Sequence, residues 1–457
     1  MVRWTLGVAL WWLAGLASAG GHTHDFTLDN GMRVIVREDH RAPIATSQVW
    51  YRVGSGYEHA GLTGLSHALE HMMFKGTDRH GPNVFSRIIA ENGGEENAFT
   101  SQDYTAYFQT LSRDRLAVAF ELEADRMRHL RLDAGEFAKE IEVVKEERRL
   151  RTEDKPTTLT LEYFQAMAYE LSPYHHPVIG WMSDLEAMTA DDLRVWYRRW
   201  YAPNNAILVV VGDVEPDAVL ALARQHFGPL SPETLPTLKP QKEPAQRGAR
   251  QLVVKVPAKQ PYLLIGYKTP VLKTSREAWK PYALEMLASL LSQGPSARLS
   301  RDLVRGRRVA VSAETDYNAF QRLDDLFTFA ATPTPQHSLD DLAQAWREIR
   351  EHLKTEPLDA AELDRVRAEE IAKHVYQQDS VFYQAMLIGS FEAVGLPWQW
   401  VDQYVDRLRE VTPEQVQAVA REYLTDDNQT LARLEPLPMS SEGRSDHQEL
   451  EGSHHVR

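Results

Sequence analysis

The segment from Leu185 to Leu208 returns 223 residues later, and this internal repeat limits the folds open to the chain more than its composition does. Leu185, Met188, Thr189, Leu193, Trp200 and Leu208 stand opposite Leu408, Val411, Thr412, Val416, Tyr423 and Leu431. In both copies a Thr precedes a helical pattern. Asp192 or Gln415 follows three positions on, the arrangement in which side chain and backbone cap a helix reciprocally. Asn204-Asn205 or Asp427-Asn428 then punctuates the end. In the first copy that turn leads into Ala206 to Val211, a β-branched run that reads as a buried strand. A duplicated unit of about 200 residues also suits a chain of 457 residues, which is too long for one ordinary core.

Each repeat opens with strand signals. Phe26 to Glu38 contains Asp29-Asn30-Gly31, a turn between two strand runs, and Ala45 to Val53 is a further strand. Gln251 to Val256 and Tyr262 to Tyr267 fill the same role in the second half. Strands followed by several helices predict an α+β fold of two homologous domains, each a mostly antiparallel sheet with helices packed on one face. The expected divisions are a first domain over 20–228, a linker over 229–250, a second domain over 251–436 and a disordered tail over 437–457. The linker is marked by Pro229, Pro232, Pro236, Pro240 and Pro244 among polar residues. His447, His454 and His455 in the tail read as solvated side chains rather than ligands.

Met1 to Ala19 reads as a signal peptide: Arg3, an apolar stretch from Trp4 to Leu16, then the small-residue pattern Ala17-Ser18-Ala19. Export in a bacterial setting predicts a periplasmic protein, with no stable membrane insertion after the signal is removed. Lys plus Arg number 51 against 65 Asp plus Glu, a net charge of −14 with no long basic run, which argues against a nucleic-acid partner. There is no cysteine, which excludes disulfides, thiolate zinc sites, iron–sulfur clusters and a cysteine nucleophile. Histidines and carboxylates remain as ligands for a transition metal.

His67-Ala68-Leu69-Glu70-His71 supplies both. Two histidines four apart leave the same face of a helix and can reach one ion, while Glu70 projects near that face, where a general base would stand. Leu65, Leu69, Met72 and Met73 give the helix a packing face, and Lys75-Gly76 predicts its end. Aligning Gly76 with Gly294 pairs Leu69, Met72 and Met73 with Leu287, Leu290 and Leu291, whereas His67 and His71 fall on Glu285 and Ser289. The packing residues persist in the copy and the histidines do not, so the histidines are not needed to build the helix. A second helical segment, Glu136 to Arg151, carries Phe137, Ile141 and Val144 on an apolar stripe. Glu140 and Glu147 lie two turns apart on one face of it. A Glu-rich helix is also an ordinary solvated surface, and Glu146 competes with Glu147 as a third metal ligand.

With Glu140 and Glu147 following His67-x-x-Glu70-His71, the chain resembles the pitrilysin-like inverzincins, the group that includes insulin-degrading enzyme and mitochondrial processing peptidase. Gly64-Leu65-Ser66, Phe74-Lys75-Gly76-Thr77, Asn97-Ala98-Phe99-Thr100 and Pro173 to Gly180 are similar to family landmarks, so the resemblance spans most of residues 24–435. It implies one Zn2+ per chain held by His67, His71 and Glu147, a general base at Glu70 and a supporting carboxylate at Glu140. It favours Glu147 over Glu146 by its spacing from Glu140. It also implies an edge strand at Asn97, Ala98 and Phe99 that pairs with an extended peptide substrate. The implied reaction is hydrolysis of peptide bonds.

Members of this group usually carry, in a second domain, an Arg and a Tyr seven residues apart that bind the substrate carbonyl. Here Val304 and Val311 stand in those places, with Arg305, Arg307, Arg308 and Tyr317 nearby. The chain therefore looks like the zinc-bearing subunit of the two-subunit kind, whose homologous partner carries the Arg and Tyr. A non-catalytic assembly protein of the same fold is the competing expectation, and the intact metal motif argues against it.

Overall fold

A computed structural model of the chain describes residues 22–239 and 242–439. The expected signal peptide and the tail from residue 440 lie outside the described residues. The first half runs β1 (Thr23–Thr27), β2 (Arg33–Glu38), β3 (Ile44–Tyr51), α1 (Leu65–Met72), α2 (Val84–Glu91), β4 (Glu95–Thr100) and β5 (Thr105–Ser112). It continues through α3 (Leu116–His129), α4 (Ala134–Arg148), α5 (Pro156–Ala168), α6 (Met182–Ala187), α7 (Ala190–Trp200), β6 (Ala206–Gly212) and α8 (Pro216–His226). The second half runs β7 (Arg250–Pro257), β8 (Tyr262–Thr269), α9 (Trp279–Ser292), β9 (Ala310–Asp316) and β10 (Asp325–Pro333). It ends with α10 (Leu339–Thr355), α11 (Ala360–Gln377), α12 (Val381–Val394), α13 (Gln399–Arg409), α14 (Pro413–Tyr423) and β11 (Gln429–Leu437).

The strands form two sheets of order β1-β2-β6-β3-β5-β4 and β7-β11-β8-β10-β9. Removing β1 makes the two orders equivalent, with β2–β6 and β7–β11 as the parallel pairs in otherwise antiparallel sheets. The architecture is the expected pair of α+β domains. The repeated helices α7 and α14 start at Thr189 and Thr412, and both carry the complete capping box with Asp192 and Gln415. In each repeat the following strand, β6 or β11, enters the middle of the sheet, which explains why Ala206–Gly212 is buried on both faces.

Side chains alternate across each sheet and so feed two cores. In the first domain Val34, Val36, Leu208 and Val210 face the domain's own helices, meeting Leu69, Phe120, Val144 and Leu193. Ile35, Trp50, Ile207 and Val209 face the other way and pack on Ala385 and Ile388 of α12, a helix of the second half. The exchange is reciprocal: Leu264, Leu326, Ala330 and Ala432 of the second sheet pack on Phe164 and Ala168 of α5, a helix of the first half. Each sheet thus has its own helices on one face and a single borrowed helix on the other. Two glycines make room for the borrowed helices. A Cβ on Gly266 would lie 2.5 Å from the Phe164 ring, and one on Gly389 would collide with the Trp50 indole.

Two local expectations shift. Helix α1 ends at Met72 rather than at Lys75-Gly76, because the chain turns after Met73 and Gly76 adopts a left-handed conformation (φ 105°) four residues beyond the helix. The helix expected through Arg151 stops at Arg148 and widens into a π-helical turn over Arg149–Glu153 before α5 begins. Between α8 and β7 the described residues form neither helix nor strand, yet the Glu243 carboxylate accepts hydrogen bonds from the backbone N–H groups of Glu170, Leu171 and Ser172, each at 2.8 Å.

Candidate active site

Helix α1 lies against α4 and α7 and presents His67, Glu70 and His71 to a cleft of about 830 Å³. Its first turn is capped by a carboxylate from outside the helix. Buried Glu58 accepts from the N–H groups of Gly64 (2.7 Å) and Ser66 (2.6 Å), satisfying donors that a helix start leaves open. Burial pushes the Glu58 carboxyl up to about 7. Opposite α1, the last turns of α4 bring Glu140 and Glu147 to the same place, on the face set by the buried stripe Phe137, Ile141 and Val144.

His67, His71 and Glu147 each offer a ligand atom, all within 4.8 Å of one another. Glu147 Oε2 lies 3.2 Å from His71 Nε2 and 3.7 Å from His67 Nε2. Donors around a tetrahedral ion bonded at about 2.0–2.1 Å stand about 3.3 Å apart, so the set fits zinc with small adjustments. His71 Nδ1 is engaged by Glu140 Oε1 at 2.9 Å, which leaves Nε2 as the nitrogen that faces the cluster. Lys75 Nζ holds the other Glu140 oxygen at 2.6 Å. Burial alone would raise the Glu140 carboxyl, but these two partners outweigh it and hold the group below the usual carboxylate range. Glu146, the alternative third ligand, is exposed and pairs with Arg149 at 3.0 Å, away from the histidines.

The two histidines sit in different electrostatic surroundings. Burial, reinforced by His71 and Arg151, holds His67 down to about 3, so it stays neutral and keeps a lone pair to donate. For His71 burial pulls the same way, but Glu140 and Glu147 overcome it and raise the imidazole above its ordinary value. Glu70 is raised by burial against the lowering effect of Thr100, whose hydroxyl donates to Glu70 Oε2 at 2.6 Å. A carboxylate lifted in this way is better matched to taking a proton near neutral pH.

Asn97, Ala98 and Phe99 line the same cleft from β4, one of the two edge strands of the first sheet, with one row of backbone groups unpaired by any described strand. The residues near the absent Arg and Tyr are turned to other work. Val304 packs against the second core and Val311 is half exposed on β9. The Tyr317 hydroxyl donates to Pro270 O at 2.6 Å, Arg305 bonds Pro295 O and Arg307 pairs with Glu348. None of them lines the cleft. The sequence reading assigns no role in the site to Glu58, Thr100, Lys75 or Arg151, although Lys75 marks a helix end in it and Thr100 belongs to a family landmark. Arg151 and Lys75 carry a local signal, each standing four positions after a site residue, Glu147 or His71, and Arg151 binds Glu147 Oε1 at 2.7 Å.

Comparison with known proteins bears on this geometry. A zinc protease of Helicobacter pylori, PqqE, is 33% identical over 415 residues, which cover 90% of this chain and 92% of that protein. An uncharacterized zinc protease of Mycobacterium leprae is 29% identical over 403 residues, covering 87% and 88%. The crystal structure of a protease from Helicobacter pylori superposes with a TM-score of 0.86 at 32% identity, over 91% of this chain and 100% of that one. The periplasmic protease PqqL of Escherichia coli shares the fold, with a TM-score of 0.77 at 18% identity, over 92% of this chain and 49% of that one. Residues 187–370 match the family described as the peptidase M16 inactive domain, a span that runs from the end of α6 in the first half into α11 of the second. Residues 33–180, which hold every member of the His67, His71 and Glu147 cluster, match the family described as insulinase, so the chain belongs to peptidase family M16.

Proposed function

We propose that the chain is an exported zinc-dependent endopeptidase that hydrolyses peptides or unfolded polypeptide segments as the zinc-bearing subunit of a heterodimer. The convergence of His67, His71 and Glu147 within 4.8 Å, beside the half-buried Glu70, carries this reading. When bound there, zinc lowers the pKa of water to about 7 and polarises the carbonyl to be attacked. Glu70, positioned by Thr100, accepts the proton of the attacking water and returns it to the leaving amine. Glu140 holds the His71 ring in orientation and tautomer. The free edge of β4 at Asn97, Ala98 and Phe99 pairs with an extended substrate backbone, giving affinity without strict sequence selection.

The proposal of a partner rests on Val304 and Val311 and on the engagement of Tyr317, Arg305 and Arg307 elsewhere. Losing one oxyanion donor costs about 10²–10³ in rate, so the isolated chain should cleave peptides poorly, and a homologous subunit with the Arg and Tyr should restore turnover. Export to the periplasm rests on the Met1 to Ala19 pattern. Metal analysis beside a peptide-cleavage assay tests the whole. Wild type and Glu146→Gln should hold one zinc, Glu147→Gln should lose it, and Glu70→Gln should keep the metal while losing cleavage. Cleavage retained in Glu70→Gln would remove the general base from the scheme. A carefully prepared wild-type chain without zinc would favour a non-catalytic assembly protein of this fold.

A further inference from the structure

Glu147, Arg151 and Lys155 follow one another at intervals of four, and all three line the cleft that holds the histidines. The spacing is carried across the π-helical turn Arg149–Glu153, so the wall continues from α4 into the start of α5, where Lys155 is the residue preceding the helix. Apart from Glu70 and Glu147, the one carboxylate on that wall is Glu162. Its two oxygens are taken by the Arg148 guanidinium at 2.8 Å each, and the pair is buried. Among the described residues Arg151 has a single ion pair, to Glu147 Oε1, the oxygen turned away from the histidines. Lys155 is exposed and has no carboxylate within ion-pair distance among the described residues. With Glu162 matched by Arg148 and Glu147 by Arg151, Lys155 leaves the α4–α5 wall one net positive charge, in a chain whose overall charge is −14.

An extended peptide paired with β4 turns alternate side chains to either face of the strand, and those on the cleft side meet the α4–α5 wall opposite. Resting on the peptidase function proposed above, we infer that Arg151 and Lys155 form a subsite for an acidic side chain, so that the preferred substrates carry Asp or Glu close to the bond to be cut. A partly exposed ion pair is worth up to about 1 kcal/mol, so the expected preference is about 2- to 5-fold per acidic residue over a neutral one.

Binding tests this independently of turnover. Zinc-loaded full-length Glu70→Gln is titrated with fluorescent unstructured peptides that differ only in carrying Ala, Glu or Lys at successive central positions, read by anisotropy. At one or more positions Glu should bind about 2- to 5-fold tighter than Ala, and Lys weaker than Ala. The spread should shrink when salt rises from about 0.05 M to about 0.5 M. Lys155→Ala should reduce the preference, and Lys155→Glu should reverse its order. Equal binding of the Glu and Lys peptides, no measurable binding of any of them, or an unchanged order in Lys155→Glu would overturn the subsite. Cleavage of the same peptides by wild type with its partner is scored separately. A charge preference in binding with no cleavage would sink the peptidase reading and leave the cationic subsite standing.

Discussion

Glu147 on α4 and Glu370 on α11 occupy the same place in the two repeats, 223 residues apart, and each is met by a side chain from the facing helix, His71 in the first half and Ser289 in the second. The Ser289 hydroxyl donates to Glu370 Oε1 at 2.6 Å, and Glu285, at the position of His67, accepts from the Tyr404 hydroxyl. A cavity of about 540 Å³ persists there, bordered by the edge strand β9 as the first is bordered by β4. The cleft between a helix pair and a sheet edge is thus a product of the fold. The same desolvation acts on both positions with opposite chemical results. It holds His67 down to about 3, neutral and able to donate, and it lifts Glu285 to about 7, where a carboxyl holds its proton more readily and is a poorer ligand.

The largest effect that would break this contrast comes from matched truncations. His71→Ala should release the metal and lower kcat/KM by at least about 10³, whereas Ser289→Ala should leave zinc content and cleavage within about 2-fold. Comparable losses from both would mean that the second cleft shares in catalysis. Next, converting Glu285 and Ser289 together to His recreates a His, His and Glu370 set on the existing frame. Zinc per chain should rise from about one to about two, with a higher melting temperature in excess zinc. A stoichiometry that stays at one would show that the two frames differ in more than their side chains.

A smaller change should follow from Glu140→Gln, which removes the charge on His71 Nδ1. Zinc affinity should fall about 10- to 100-fold, measured by competition with a chelator. The smallest effect is in pH. His71 is raised above its ordinary 6.5 in the folded chain, so its protonated form stabilises the metal-free fold below that value, a contribution lost as pH rises through the folded pKa. Zinc must displace that proton, so affinity should climb about tenfold per pH unit below the folded pKa and level off above it. Glu140→Gln should move the levelling point to lower pH.

Apart from the repeat at an offset of 223 residues, what the sequence disclosed was local. Hairpins, capping boxes and the four- and seven-residue intervals of His67, His71, Glu140 and Glu147 each lie within a few turns of chain, where spacing alone fixes geometry. Glu58 on the start of α1 and Thr100 on Glu70 were hidden because each reaches its partner through a turn or a sheet, and no periodicity reports such contacts. The widening after Arg148 was hidden because a π turn uses the same residue types as the helix it interrupts. Phe164 and Ala168 mark α5 as apolar on one side, but nothing in their spacing says that the sheet they cover belongs to the other repeat.

That exchange makes the chain indivisible in practice although its sequence reads as two units. A first half produced alone would hold all three metal donors, yet α5, whose residues form one wall of the cleft, would have no sheet beneath Phe164, and Trp50 would lose the cover of α12. The half that holds the metal donors is therefore not a portable module. A single nick in the 229–250 segment would yield two fragments that stay together, each completing the other's core.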